Sequence, residues 1–379
     1  CLKYINIYNP TIEDLADIPK EDPKTYKMLQ ESDSIGVFQV ESRAQMSMLS
    51  RLKPKCFYDL VIELAIVRPG PIQGNMVHPY LRRRDGIEKI SYPSKDVENV
   101  LRRTLGVPIF QEQIIRLIMV TTGFSGGQAD QLRRAVACSS GSSSLIKFKE
   151  KLIKGIIDRG YKYKFADQLF EQIKSFSSYG FPESHSASFA LIAYSSAWLK
   201  CHHPAAFYCA LLNSQPIGFY SPSQLIQDAR RHDIRVQPSC VLNSNWQHSL
   251  SFKEISLEDI NPDNQPALRL GLSLIKGLSR NGAKRLTKKR SEKQFVNIAD
   301  LRHRAELNKG DMEALASADA LKLLSGNRYQ TQWQIMALES PRPLLQQQNN
   351  HDTEKLDDGI YHPAPSKFSQ IFSDYNSTG

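Results

Sequence analysis

Residues 177–201 read SSYGFPESHSASFALIAYSSAWLKC. A proline followed by serines and then small and apolar side chains predicts a helix capped by Ser184 or Ser186. Ala187, Leu191, Tyr194 and Trp198 recur at helical spacing and predict its buried stripe. His185 falls in or before the first turn, off that stripe. It is there either as a satisfied polar residue beside a cap or as a group facing a cleft, where the positive end of the helix helps hold negative charge.

The segments leading up to this helix are mostly helical too. Asp22 and Pro23 have the form of a cap and first helical position. SIGVFQVES, residues 34–42, predicts a short strand or an extended turn, and Leu60, Val61, Leu64 and Ala65 mark a helix that must stop before Pro69. The Arg68-Pro69-Gly70-Pro71 run predicts a rigid turn, and Arg82, Arg83 and Arg84 predict a basic, solvated face. Ser125 and Gln128 have capping-box spacing, which places Arg133 and Arg134 about two turns inside a helix that starts in a glycine-rich turn. Free amides at such a start attract anions, and guanidinium forks grip phosphate. Two more helices are predicted over 145–159 and 163–176.

Beyond a strand-like segment at 234–242 lies LRLGLSLIKGLSRNGAKRLTKKR, residues 268–290. It has the form of a short helix, a turn from Gly277 to Gly282 and a basic second helix. Such a turn, with Leu278 inside it, offers backbone N–H groups to a nucleic-acid phosphate, and Lys276, Lys284 and Arg285 would neutralise charge. The alternative is an ordinary helical hairpin with lysines on its wet face. Residues 307–324 predict a second helical pair, and the polar, proline-broken stretch from 339 onward predicts a linker.

Composition fits this reading. The 379 residues carry 49 Lys+Arg against 39 Asp+Glu, a formal charge of +10, which favours a polyanionic partner. The six cysteines form no C-x-x-C pair, so neither a zinc ribbon nor a disulfide framework is indicated and a reducing, cytoplasmic setting is expected. Cys201, His202 and His203 follow one another around a helix end, and no metal is expected there. No apolar run approaches the length of a membrane helix. A chain that opens on cysteine in mid-pattern suggests a processed or truncated piece.

Four stretches together carry a resemblance: SIGVFQVESRAQMSMLSRLKPKCFYDLVIELAIVRPGPIQG, TLGVPIFQEQI, ADQLRRAVA and YGFPESHSASFALIAYSSAWLKCHHPAAFYCALLNSQPIGFY. In this order they closely resemble the bacterial C-family DNA polymerases, in particular the error-prone branch related to the polymerase III alpha subunit. The resemblance implies a mainly α fold with minor β, a multi-helix fingers domain followed by a helix-hairpin-helix domain. It divides the chain into a palm remnant (1–22), fingers (23–235), a connecting segment (236–267), a tandem helix-hairpin-helix domain (268–338) and a linker toward an OB-fold (339–379). It implies that Arg133 and Arg134 meet the triphosphate of the incoming deoxynucleotide and that Ser184 and His185 sit by its sugar. Hairpin residues Lys276, Gly277, Leu278, Gly282, Lys284 and Arg285 would hold primer-template DNA.

In that family magnesium ions held by palm aspartates drive attack of the primer 3′-hydroxyl on the alpha-phosphate. Those aspartates belong upstream, so no catalytic residue is expected in this chain and it should be inactive alone. A sliding clamp and mutagenesis accessory proteins are the further implied partners, and no membrane. SSGSSS, residues 139–144, stands where this branch carries arginines, which puts activity in doubt. The competing reading is a non-catalytic DNA-binding remnant; a third is a helical scaffold that binds proteins.

Overall fold

The computed structural model describes residues 1–68, 76–138, 143–177, 181–218, 220–337 and 363–378, with the side chains of 133–138, 143–148 and 175–177 outside the described residues. The turn after Arg68 and most of the SSGSSS segment therefore lie outside them, as does 338–362 of the expected linker. The chain forms two compact units, Ile18–Cys201 and a second made of Cys1–Asp17 with His202–Gly379.

A one-turn helix, α1 (Leu2–Ile5), belongs to the second unit. The Ile18–Cys201 unit then runs through α2 (Pro23–Gln30), α3 (Arg43–Leu52), α4 (Phe57–Ile66), α5 (Val77–Arg84), α6 (Lys95–Leu101), α7 (Gln111–Thr122), α8 (Gly126–Cys138), α9 (Ser143–Asp158), α10 (Tyr163–Ser177) and α11 (Glu183–His202), the last ending at the unit boundary. Asp22 caps α2, accepting the Thr25 N–H at 2.8 Å, with Pro23 in the first turn as its spacing predicts. Ser125 and Gln128 cap each other at the start of α8. Residues 34–42 form turns rather than a strand: Gly36 and Gln39 take positive φ, and the Ser34 hydroxyl donates to the Val40 carbonyl.

Apolar residues all around α4 bury it from Asp59 to Ile66. One turn of that burial is held by Arg84, whose two guanidinium nitrogens reach the Asp59 carboxylate at 2.6 Å while its Nε donates to the Leu52 carbonyl. Arg83 is likewise occupied, by Glu88 and the Leu105 carbonyl. The basic face predicted at 82–84 is thus reduced to Arg82, because its neighbours are pulled inward to satisfy a buried carboxylate and loose carbonyls.

The register of α11 also differs from prediction. Leu191 is 59% exposed, and the buried side is Ser186, Ala190, Ala193 and Ala197, joined by Tyr194 and Trp198. Small residues let the helix approach closely enough for the Ser186 hydroxyl to donate to the Val61 carbonyl of α4 at 2.5 Å. Further along, the fully buried Lys200 ammonium is held by Asp33 at 2.6 Å and the Ile35 carbonyl at 3.1 Å.

The second unit contains α12 (Pro204–Asn213), α13 (Pro222–Arg231), a three-stranded sheet and a compact group of helices. Strands β1 (Val236–Gln237), β2 (Ser249–Ser251) and β3 (Ala267–Arg269) lie in the order β1-β3-β2, β3 being parallel to β1 and antiparallel to β2. After the sheet come α14 (Arg280–Glu292), α15 (Ile298–Arg304), α16 (Lys309–Ser317), α17 (Lys322–Ser325), α18 (Arg328–Ala337) and α19 (Lys367–Thr378). Leu272, Leu278, Leu286, Leu301, Met312 and Leu315 lie in one buried cluster beneath them. Within the stretch expected to be linker, 367–378 is this last helix.

Candidate nucleic-acid and nucleotide sites

The predicted hairpin exists, but its first arm is not a helix. Leu268, Leu270 and Leu272 are buried at alternate positions, so 267–269 pairs as β3 and only Leu272–Leu274 closes a 3-10 turn. Gly271 permits this, since a Cβ there would come within 2.5 Å of the Trp246 and Gln247 backbone. The chain reverses at Gly277, whose φ is +85°. Leu278 turns into the core, and Ser279 caps α14 by accepting the Gly282 N–H at 2.9 Å. Gly282 therefore lies inside the helix rather than in the turn.

Asp311 explains the need for glycine at 282. This buried residue of the first turn of α16 accepts the Ser279 N–H at 2.8 Å and the Ser279 hydroxyl at 3.1 Å. A Cβ on Gly282 would lie 2.5 Å from its Oδ2. Asn308 in turn caps α16 by accepting the Asp311 N–H. The N-termini of α14 and α16 are thus joined through one carboxylate. Arg280 and Asn281 are exposed, and their N–H groups have no acceptor within α14.

Of the predicted charges, Lys284 is exposed on α14, beside the likewise exposed Arg280 and Lys288. Arg285 instead donates to the Ala305 and Glu306 carbonyls at 2.9 and 2.8 Å, closing the end of α15. Lys276 gives its backbone N–H to the Ser377 carbonyl at 2.9 Å and its ammonium to the Asn376 carbonyl at 3.3 Å.

In the other unit, the start of α11 is tied to the start of α7. Gln111 N–H donates to the Phe181 carbonyl at 3.1 Å, and Glu183 N–H donates to the Glu112 carboxylate at 3.0 Å. That carboxylate, rather than a serine, serves the first amide of α11. Glu183 accepts the Tyr58 hydroxyl at 2.9 Å and pairs with Arg103 at 3.3 Å, and the Arg103 guanidinium lies 3.8 Å from the Tyr58 ring centroid. Burial, reinforced by Glu183, pushes the Tyr58 phenol up. These groups line a cleft of about 460 Å³ with Glu112, Arg116 and Ser184.

His185 takes a different direction. Exposed, it lies between Phe181 and Phe189, with centroids at 5.2 and 4.1 Å, and Phe189 meets Phe38 edge-on at 5.4 Å. Arg68 lies 4.8 Å from the Phe181 centroid and donates to the Leu64 carbonyl. Successive helical residues point about 100° apart, so Ser184 faces the cleft and His185 the aromatic cluster. Arg133 and Arg134 lie on α8, and their side chains are outside the described residues. Tyr58, Arg103 and Glu183 escaped sequence reasoning because they come from three separate stretches with no shared local pattern.

Comparison with known proteins bears on both regions. Residues 1–160 match the model of the bacterial DNA polymerase III alpha subunit finger domain, and 233–331 match a helix-hairpin-helix motif. Across all 379 residues the chain is 56% identical to the error-prone DNA polymerase of Saccharophagus degradans and 55% identical to that of Teredinibacter turnerae. Along its whole length this chain is similar to error-prone DNA polymerases. It is also 53% identical over 375 residues to the error-prone DNA polymerase of Methylococcus capsulatus. It spans 36% of the length of the first two relatives and 35% of the third. Ser184 and His185 lie past the finger-model match but inside the stretch shared with these relatives. Among the described residues, no helix is long and apolar enough to cross a membrane.

Proposed function

We propose that the chain supplies primer-template and incoming-nucleotide contacts to an error-prone, template-directed DNA polymerase. The observation that carries the duplex part is the Asp311 junction. It brings two helix N-termini together beside the positive-φ turn at Gly277 and leaves exposed amides and the exposed Arg280, Lys284 and Lys288 for the sugar–phosphate backbone. Contacts of this kind hold any sequence and weaken steeply with salt. The domain limits that go with this reading are fingers over 23–235 and tandem hairpins over 268–338, with 236–267 connecting them.

The nucleotide part rests on the α11 start. An exposed imidazole between two aromatic rings gives a sugar a flat wall, and Ser184 on the neighbouring face offers a hydroxyl. Arg133 and Arg134 would take the triphosphate as bidentate donors. Magnesium, which such chemistry uses to stabilise the in-line displacement, does not fit the carboxylates at this cleft. Glu183 is committed to Tyr58 and Arg103, and Glu112 to the α11 amide. The metal-holding acids, and with them the nucleotidyl-transfer step, are assigned to the part of the family's length that this chain does not span. Clamp and accessory proteins would bind the intact enzyme, and the setting is cytoplasmic.

A second reading, duplex binding without nucleotide binding, is favoured by the divergence of Ser184 and His185. Titrating the chain with a deoxynucleoside triphosphate in the presence of a primed duplex separates the two. Saturable binding that weakens in His185→Ala supports the polymerase role, and no binding supports the second reading. With magnesium and primed template the chain alone is expected to incorporate nothing; incorporation would overturn the assignment of the acids elsewhere.

A further inference from the structure

The hairpin at Gly277 is already occupied, by the chain's own last described helix. Helix α19 ends with its carbonyls at Lys276, the residue just before the hairpin glycine. Ser377 O accepts the Lys276 N–H at 2.9 Å, and Asn376 O and Tyr375 O accept its ammonium at 3.3 and 3.5 Å. A helix C-terminus carries about half a negative charge on such carbonyls. One amide and one ammonium of a single residue donating to clustered, partly negative oxygens is the arrangement in which a phosphate group would be held, so these carbonyls stand in for phosphate oxygens.

The rest of the contact is polar and small. Arg328 of α18 pairs with Asp374 and donates to the Gln370 carbonyl at 3.3 Å, and Tyr329 meets Ser369 at 3.2 Å. A cleft of about 500 Å³ remains beneath α19, lined among others by Glu313, Ala314, Gln332 and Phe372. The apolar side of the helix (Phe368, Ile371, Phe372, Tyr375) stays largely exposed and adds little to the hold. A phosphate bears a full charge and makes stronger charge-assisted hydrogen bonds than a neutral carbonyl.

We propose that α19 is a built-in competitor of nucleic acid: it caps the first hairpin at Lys276 and is displaced when a duplex backbone takes the same donors. The proposal rests on the reading of the hairpin as a duplex site and adds to it a self-blocking device.

The test uses the full chain and two variants in which α19 is loosened differently. Ser373→Pro breaks the helix without changing charge. Asp374→Asn removes the Arg328 partner and is compared with Asp158→Asn, the same charge change on an exposed residue of the other unit. Affinity for a short blunt duplex at fixed salt is expected to rise about three- to tenfold in Ser373→Pro and Asp374→Asn, the scale of one or two hydrogen bonds freed for phosphate, and not in Asp158→Asn. Hydrogen exchange in the unaltered chain should show the amides of 367–378 losing protection when duplex is added. Equal affinity in all four proteins, weaker binding in Ser373→Pro, or undiminished protection of α19 in the complex each overturns the competitor. If neither the parent nor Ser373→Pro binds duplex at all, the hairpin reading itself fails.

Discussion

Asp311 Oδ1 accepts the backbone N–H of Ser279 at 2.8 Å, so a side chain from α16 closes the N-terminus of α14. Asp311 itself is buried, and its carboxylate ties the two helix starts together above the apolar cluster. Removing the carboxylate leaves the Ser279 N–H and hydroxyl without their acceptor. Asp311→Ala is therefore expected to lower stability by about 1–3 kcal/mol, with Asp311→Asn recovering part of the loss. Gly282→Ala, which drives a methyl into the same carboxylate, should cost a similar amount by overpacking. Chemical denaturation of the second unit's transition checks all three.

Glu63 in α4 has no exposed surface, and among the described residues neither of its carboxylate oxygens has a hydrogen-bond partner. Burial pushes its carboxyl well above the usual range, which favours the protonated form in the folded state. The folded carboxyl holds its proton more tightly than the unfolded one. The ionisation part of its cost is accordingly absent below the unfolded value of 4.5 and grows as pH rises above it, on top of the pH-independent cost of an unpaired buried carboxyl. Glu63→Met should stabilise the Ile18–Cys201 unit at neutral pH by about 1–3 kcal/mol. The gain should shrink toward pH 4.5, to what the unpaired neutral carboxyl alone costs. Thermal melts of both proteins across that range measure it.

Two histidines of the second unit behave in the opposite way. Burial lowers His248 and His203 to about 4, and His248 Nδ1 accepts the Gly271 N–H at 3.2 Å, a bond that protonation would break. The unfolded chain takes up these protons near 6.5 and the folded one only near 4. Stability is thus complete above pH 6.5 and falls through that window, by on the order of 2–3 kcal/mol for each site. His248→Gln should flatten the dependence, as read from denaturant midpoints at successive pH values.

His185 separates function from stability. Its ring is exposed between Phe181 and Phe189, so His185→Ala should change the unfolding free energy by less than about 1 kcal/mol. Deoxynucleotide affinity is expected to fall about tenfold, as for the loss of one stacked, hydrogen-bonding ring. Unchanged affinity would remove this residue from the pocket.

Local signals in the sequence were reliable where a single turn decides the outcome. The Asp22-Pro23 start, the Ser125–Gln128 box and the reversal at Gly277 all formed where residue chemistry demanded them. Prediction failed where distant groups compete. The α11 stripe shifted because the alanine side, not the Leu191 side, can approach α4, and Arg83, Arg84 and Arg285 were drawn to carboxylates or carbonyls far along the chain. Gly282 read as a turn residue because its true constraint, the carboxylate of Asp311, lies 29 positions away and only the fold brings it near. Ser184 and His185 were legible as a pair, but the fold turns one to the cleft and the other to the aromatic rings.

The central claim is that the hairpin unit holds duplex DNA through its phosphates, and the salt dependence of duplex affinity tests it most directly. Logarithmic plots of affinity against salt should be linear and steep for unrelated duplex sequences alike. Lys284→Ala should reduce the slope by about one with no loss of stability, whereas Arg285→Ala, which opens the end of α15, should lower stability first. Affinity that is flat in salt, or a slope indifferent to Lys284, would contradict the account.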